Sequence, residues 1–298
     1  MSIAPLAAVP SAPRTPAPAP VFRGRIGRDA RSGHYAVPHR YRLHLSTACP
    51  DGLRIAVGHS VLALADSCPV TFLPAVPDCP GGGHRALRPL YEASAHRYTG
   101  PALAPVLSDD WSGRIVSTHA PDILRDLDRF RADGRASLYP RGAEEEIAAV
   151  ELLCAEGIEE AAQGAGRAGA GPAERAAALD VLLDALGSLE RRLGRGEYLV
   201  DDRLTAADIE VWVALVQLDT VHRHHLDARA VQRVAGHPAL WAHARRLAAR
   251  PAFGAHLDLD GIARRHHGRC QGLEAAGAAV QILDWERHAA DAPGAWRR

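Results

Sequence analysis

Arg40-Tyr41-Arg42-Leu43-His44-Leu45-Ser46-Thr47-Ala48-Cys49-Pro50 is the stretch on which the fold turns. Across residues 41–46 apolar and polar side chains alternate at period two, the pattern of a half-buried strand. Residues 47–52 interrupt it, and Leu53, Val57, Val61 and Leu64 then recur at helical spacing. The predicted order is strand, tight turn bearing Cys49, helix. A helix's first turn carries unpaired N–H groups and the positive end of the dipole, which favour a thiolate over a thiol. Cys49 is therefore the candidate nucleophile, with Arg54 placed to hold its charge and Asp51 to oppose it. The competing reading is a buried, inert cysteine, the usual state of a lone Cys. Position 52 is Gly rather than Cys, so a dithiol cycle lacks a local resolving partner and any cycle needs an external thiol.

Working outward, residues 70–76 form an apolar run that reads as a second strand despite Pro74. Ala104-Pro105-Val106-Leu107, a turn at Ser112-Gly113, and Arg114-Ile115-Val116-Ser117 read as a hairpin, and residues 121–130 resume helical spacing. The first half is thus α/β, in the order β-α-β, β-β-α. Pro105 is a second candidate. In thioredoxin-type folds a cis-Pro before the third strand leaves the backbone of the preceding residue, here Ala104, to pair with a peptide-like ligand. An ordinary trans-Pro at a strand edge is the alternative.

The second half reads as helices. Residues 143–162 are helical in composition, and Leu179, Leu182, Leu186, Leu189 and Leu193 run down one face. Thr205-Ala206-Ala207-Asp208 is a capping-box variant, with Leu204 positioned to staple against Ile209. The helix that follows is apolar nearly all round, which predicts the buried centre of an all-α domain. Residues 238–247 give another helix, and clear periodicity fades after about residue 268.

Composition narrows the function classes. The 35 basic residues, all Arg, balance 35 acidic ones, so no overall field draws in nucleic acid or an anionic membrane surface. Five scattered Cys suit a reducing compartment, and no run approaches the roughly 18 apolar residues of a membrane span. The expected location is the cytoplasm. Residues 1–21, rich in Pro and Ala, predict a disordered tail without a signal-peptide core. The 16 His outnumber the aromatic rings (4 Phe, 5 Trp, 6 Tyr). His222, His224 and His225 could ligate Zn²⁺, but no Cys, Asp or Glu joins them at a diagnostic interval, so the expectation is a solvated rim and no metal.

Together these residues resemble the glutathionyl-hydroquinone reductases, the xi class of the omega-like glutathione transferases. The resemblance runs from residue 22 to 267. It rests on residues 40–50, Tyr98-Thr99-Gly100 leading to Pro105-Val106-Leu107, Leu138-Tyr139-Pro140, residues 198–208, residues 215–219 and His237-Pro238. It implies an N-terminal thioredoxin-like domain (22–135), a C-terminal helical glutathione-transferase domain (140–268) and a C-terminal extension (269–298). The family's cysteine lies in Cys-Pro-Trp-Ala-His-Arg; here the motif reads Cys49-Pro50-Asp51-Gly52-Leu53-Arg54. A Glu-Ser pair that holds the γ-glutamyl end of glutathione in the family falls at His119-Ala120. Tyrosines lining the hydroquinone site fall at Gly166, at His222, and at His266 or His267. Imidazoles there point to a smaller or more acidic ligand.

What the resemblance implies is a thiol transferase that uses Cys49 for deglutathionylation or thiol exchange on a small, quinone-like molecule. Ala104 and Pro105 would hold glutathione or another low-molecular-weight thiol, and the protein would be a homodimer. The alternative is a non-catalytic paralogue of the same fold, serving as a binding or assembly protein.

Overall fold

The computed structural model describes residues 22–27, 29–79, 81–131, 137–270 and 280–290. The predicted tail (1–21), the junction at 132–136, and residues 271–279 and 291–298 of the predicted extension lie outside the described residues.

Four strands, β1 (Tyr41–Leu45), β2 (Val70–Phe72), β3 (Val106–Asp109) and β4 (Arg114–Ser117), form one sheet in the order β2-β1-β3-β4. β1 pairs parallel with β2 and antiparallel with β3, and β3 pairs antiparallel with β4. Parallel neighbours need a crossover, which α1 (Pro50–Val61) provides. Tyr41, Leu43 and Leu45 are buried while Arg42 and His44 are half-buried, so the alternation in the sequence is the alternation of the pleat.

Two details differ from the sequence reading. The run at 70–76 yields a strand of only three residues. Leu73 donates its N–H to the Leu45 carbonyl at 2.7 Å, and Pro74 then has no N–H with which to continue the ladder. A helix, α2 (Arg88–Ser94), was also not anticipated; at seven residues with Tyr91 its one buried side chain, it is too short to show a period. The order is β-α-β-α-β-β-α, closing with α3 (Ala120–Leu127). This is the thioredoxin-like arrangement.

Helices follow. α4 (Glu144–Leu152), a π-helical stretch (Leu153–Glu160) and α5 (Ala161–Ala165) form one continuous run, which packs on α6 (Pro172–Leu193). A methyl at Gly157 would lie 2.8 Å from the Ala185 Cβ, so Gly157 permits this approach. Leu182, Leu186 and Leu189 are wholly buried on the face their spacing predicted. α7 (Ala206–Thr220) is buried along nearly its whole length. Its N-terminus carries the predicted capping box: the Thr205 N–H donates to the Asp208 carboxylate at 2.8 Å, and the other Asp208 oxygen accepts from the Leu199 N–H at 3.1 Å. α8 (Ala228–Ala235), α9 (Pro238–Ala248), α10 (Pro251–Gly254), α11 (Leu259–Cys270) and α12 (Trp285–Ala290) complete the helical part.

Part of the C-terminal extension belongs to this core. Asp219, on α7, accepts the Ile282 N–H (2.9 Å), the Leu283 N–H (3.0 Å) and the Trp285 indole N–H (2.9 Å), and Trp285 is fully buried. One carboxylate thus satisfies three donors of a segment that shows no period of its own.

Candidate active site

Cys49 is the N-cap of α1, in extended backbone conformation, with Pro50 in the first turn. Its N–H donates to the Ser46 carbonyl (3.1 Å), and its own carbonyl accepts from Leu53 (2.9 Å). The turn from β1 folds tightly onto the helix: a Cβ at position 52 would stand 2.1 Å from the Ser46 carbonyl oxygen. Only glycine fits without moving the loop that carries Cys49. Gly52→Ala should therefore lower stability by about 1–3 kcal/mol and slow alkylation of Cys49. Urea midpoints and alkylation rates measured on one preparation check both effects.

The five thiols are unequal. Cys68 and Cys154 are wholly buried; burial pushes the Cys68 thiol up to about 12 and Cys154 well above the ordinary range. Cys270 is also buried, whereas Cys49 and Cys79 are partly exposed.

The sheet register gathers the predicted site residues at one edge. His44 pairs with Val106, so Pro105 reaches the same end of the sheet from which Ser46 to Cys49 departs. The Ala104–Pro105 bond is cis, and Ala104 is partly exposed. Leu107 pairs with Ser117, which brings His119 to that end too. There His119 N-caps α3, and its Nδ1 lies 2.9 Å from the Asp122 carboxylate, to which Arg23 donates at 2.8 Å. Burial works against the Asp122 charge, but Arg23, Arg25 and His119 outweigh it and hold the carboxyl below its usual range.

Arg54 has a different role from the expected one. It is buried and committed to three carboxylates: Asp51 (2.7 Å), Glu210 of α7 (2.7 Å) and Glu159 of the π-helical stretch (3.4 Å). A guanidinium so engaged joins α1 to the helical part and has little charge to lend a thiolate. Arg265 on α11 lines the same cavity as Ala48 and Pro50 and lies within electrostatic reach of Cys49; sequence reasoning missed it because 216 positions separate the two and no local pattern links them. Burial lowers the Arg265 pKa, while Cys49 and Asp51 pull it back up. Its Nη1 donates to the Ala75 carbonyl at 3.3 Å, and its buried Nε has no partner among the described residues. Arg265→Gln should reduce the rate of thiolate attack at Cys49 about tenfold, the worth of one charge-assisted contact; stopped-flow alkylation would measure it.

Beside Cys49 a cavity of about 150 Å³ is lined by Ala48, Pro50, Gln217, His222, Arg265 and His266, among others. A cleft of about 430 Å³ shares His222 and His266 and adds Gly166, His225 and Cys270. His266 lines both spaces, whereas His267 is exposed and lines neither. Burial, then repulsion from His225 and His266, lowers the His222 pKa to about 4. With its pKa that low, His222 carries no charge to offer an acidic ligand, and Arg265 and Arg269 are cations lining the same cavity. Another cleft, of about 690 Å³ between Arg25 and Arg141, does not include Cys49.

Residues 172–246 match the model of the glutathione S-transferase C-terminal domain. Over 239 residues the chain is 31% identical to the glutathionyl-hydroquinone reductase PcpF of Sphingobium chlorophenolicum, covering 74% of each protein. The chain belongs to the glutathionyl-hydroquinone reductase family, the xi-class glutathione transferases. The xi-class relationship extends to the glutathionyl-hydroquinone reductase YqjG of Escherichia coli, 26% identical over 88% of this chain and 85% of that one. It is also visible in structure: the xi-class transferase of Natrialba magadii superposes with a TM-score of 0.74 at 26% identity, over 88% of this chain and 86% of that one. Against the family motif, this xi-class chain keeps the cysteine, the proline and the arginine, and its Gly52 closes the turn.

Proposed function

We propose that this protein is a single-cysteine, glutathione-dependent reductase acting on a small quinone-derived thioether. The carrying observation is Cys49 at the N-terminus of α1, partly exposed, beside a cavity that Arg265 lines. In this reading the Cys49 thiolate attacks the sulfur of the glutathionyl adduct and the carbon–sulfur bond breaks. The electron pair goes to the ring carbon, which takes up a proton from water as the hydroquinone is released, and Cys49 is left in a mixed disulfide with glutathione. A second glutathione thiolate attacks that disulfide, freeing Cys49 and leaving as glutathione disulfide. Ala104, beside cis-Pro105, pairs with the peptide portion of glutathione. His119 with Arg23 and Asp122 takes the γ-glutamyl end in place of the family's Glu-Ser pair.

The cleft bearing His222 and His266 receives the ring. With His222 neutral, recognition there is by hydrogen bonds and Arg265, which suits a ring carrying an acidic substituent. We also place the protein in the cytoplasm, as a homodimer, with the domain division at residues 135–140; five cysteines without a disulfide support a reducing compartment. Among the described residues no helix is long and apolar enough to cross a membrane.

Intact-mass spectrometry after exposure to glutathione disulfide, and separately to other thiol disulfides, tests the reading. The expected result is one glutathione adduct, mapped to Cys49. An adduct from a different thiol alone would replace glutathione as cosubstrate, and no adduct from any would favour the non-catalytic paralogue.

A further inference from the structure

Three side chains from two distant parts of the chain converge at the floor of the larger cleft. His225 ends the 3₁₀ turn His222–His225 that follows α7; His266 and Cys270 stand one turn apart on the same face of α11. The His225 Nε2 lies 3.3 Å from the His266 Nε2 and 3.3 Å from the Cys270 Sγ, and all three donor atoms fall within 4.8 Å of one another. Two Zn–N bonds of about 2.05 Å at a tetrahedral angle separate their nitrogens by about 3.3 Å, and a Zn–N and a Zn–S bond separate their ends by about 3.6 Å. The two spacings from His225 are close to these values, and a side-chain rotation that draws His266 and Cys270 together within their 4.8 Å bound would complete the set around one small ion.

The surroundings make room for this arrangement. A Cβ at Gly166, where the family resemblance places a tyrosine, would stand 2.5 Å from the Cβ of His225. A tyrosine at 166 and the present position of His225 are therefore mutually exclusive. Cys270 is buried while the two histidines are partly exposed, so the open side of the trio faces the cleft. Arg269 also lines the cleft and would repel a cation held by imidazoles alone, an objection that a Cys270 thiolate offsets.

We propose that His225, His266 and Cys270 form a three-ligand zinc site whose fourth position opens on the cleft, where an anionic oxygen or a thiolate of a bound molecule can complete the coordination. Borderline cations match a donor set of two imidazoles and one thiolate, whereas Mg²⁺ and Ca²⁺ select oxygen ligands. Sequence spacing conceals the site, because the cysteine missing from the His222–His225 cluster is supplied by α11. The inference does not depend on Cys49 being catalytic.

The test uses the full-length chain without a histidine tag, purified after growth with added zinc and assayed for metal by mass spectrometry. One zinc per chain is expected, as for a site with three protein ligands. After stripping, Co²⁺ should restore one equivalent, with a sulfur-to-cobalt charge-transfer band and intense tetrahedral d–d bands. Cys270→Ser should lose the charge-transfer band and His266→Gln should lose stoichiometric zinc, each with unchanged circular dichroism and melting temperature in the metal-free state. Cys49→Ser should retain both signals. Wild-type protein without zinc and without a cobalt band would overturn the proposal, leaving Cys270, His225 and His266 as a hydrogen-bonded chain. Equal zinc retention by a Cys270→Ser/His225→Gln variant, or stoichiometric Cu⁺ with no zinc, would overturn it as well.

Discussion

Cys49→Ser should abolish thiol transfer to glutathione, with turnover falling on the order of 10³-fold or more, because a hydroxyl in the same position stays protonated and cannot form the mixed disulfide. Its fold should survive, since the side chain of Cys49 makes no capping hydrogen bond to α1. Cys79 is the stringent control, because it is the other partly exposed thiol. Cys79→Ser should leave turnover and the glutathione adduct intact. Low-pH alkylation gives the same discrimination without a substrate. Cys49 should react first, Cys79 later, and Cys68 and Cys154 only on unfolding, because burial both shields a thiol and disfavours its thiolate. Equal rates at Cys49 and Cys79 would remove the special standing of the α1 N-terminus. Unimpaired turnover by Cys49→Ser would reject the mechanism itself.

The features legible in the sequence were those with a local cause. The β1-turn-α1 unit showed itself through a change of period from two to helical, and the α7 cap through Thr205 and Asp208 at a fixed offset. The buried leucines of α6 were equally plain. What escaped detection was set by distance along the chain. Pro105 could be named, but its convergence with Cys49 and His119 at one edge depends on strand register. Arg54 and Arg265 could not be told apart as partners of Cys49, because which arginine is neutralised depends on Glu159 and Glu210, more than a hundred residues beyond Arg54. The ordering of residues 282–285 rests on one remote carboxylate, Asp219. The electrostatics are only partly local: His222 owes its low pKa to burial, to His225 three residues along the same 3₁₀ turn, and to His266, which α11 brings from a distance along the chain.

Arg54→Met should cost about 3–5 kcal/mol, the penalty for removing one partner of a buried ion pair. One guanidinium faces Asp51, Glu159 and Glu210, so the cluster already carries a surplus of negative charge. Burial, reinforced by Glu159, Glu151 and Asp51 and opposed by Arg54, raises the Glu210 pKa from 4.5 to about 7. The sign of the pH effect follows. The folded protein binds a proton that the unfolded chain releases, so this contribution is complete below pH 4.5 and is lost as pH rises through about 7. In urea, wild-type stability should therefore decline between these limits, by at most about 1.4 kcal/mol per pH unit, and Glu210→Gln should flatten the decline. Gln still accepts a hydrogen bond from Arg54, and Asp51 and Glu159 still balance its charge, so that variant should remain folded. Replacing both members, as Arg54→Met/Glu210→Leu, should recover most of the loss, because an apolar pair of similar volume avoids the desolvation that the ions suffer. A wild-type urea midpoint retained by Arg54→Met would mean that the arginine does not bind α1 to α7, and would return it to the role of thiolate partner. The expected collapse, with alkylation of Cys49 unchanged in whatever fraction stays folded, would assign this family arginine to the joint between the two halves and leave Arg265 as the cation within electrostatic reach of Cys49.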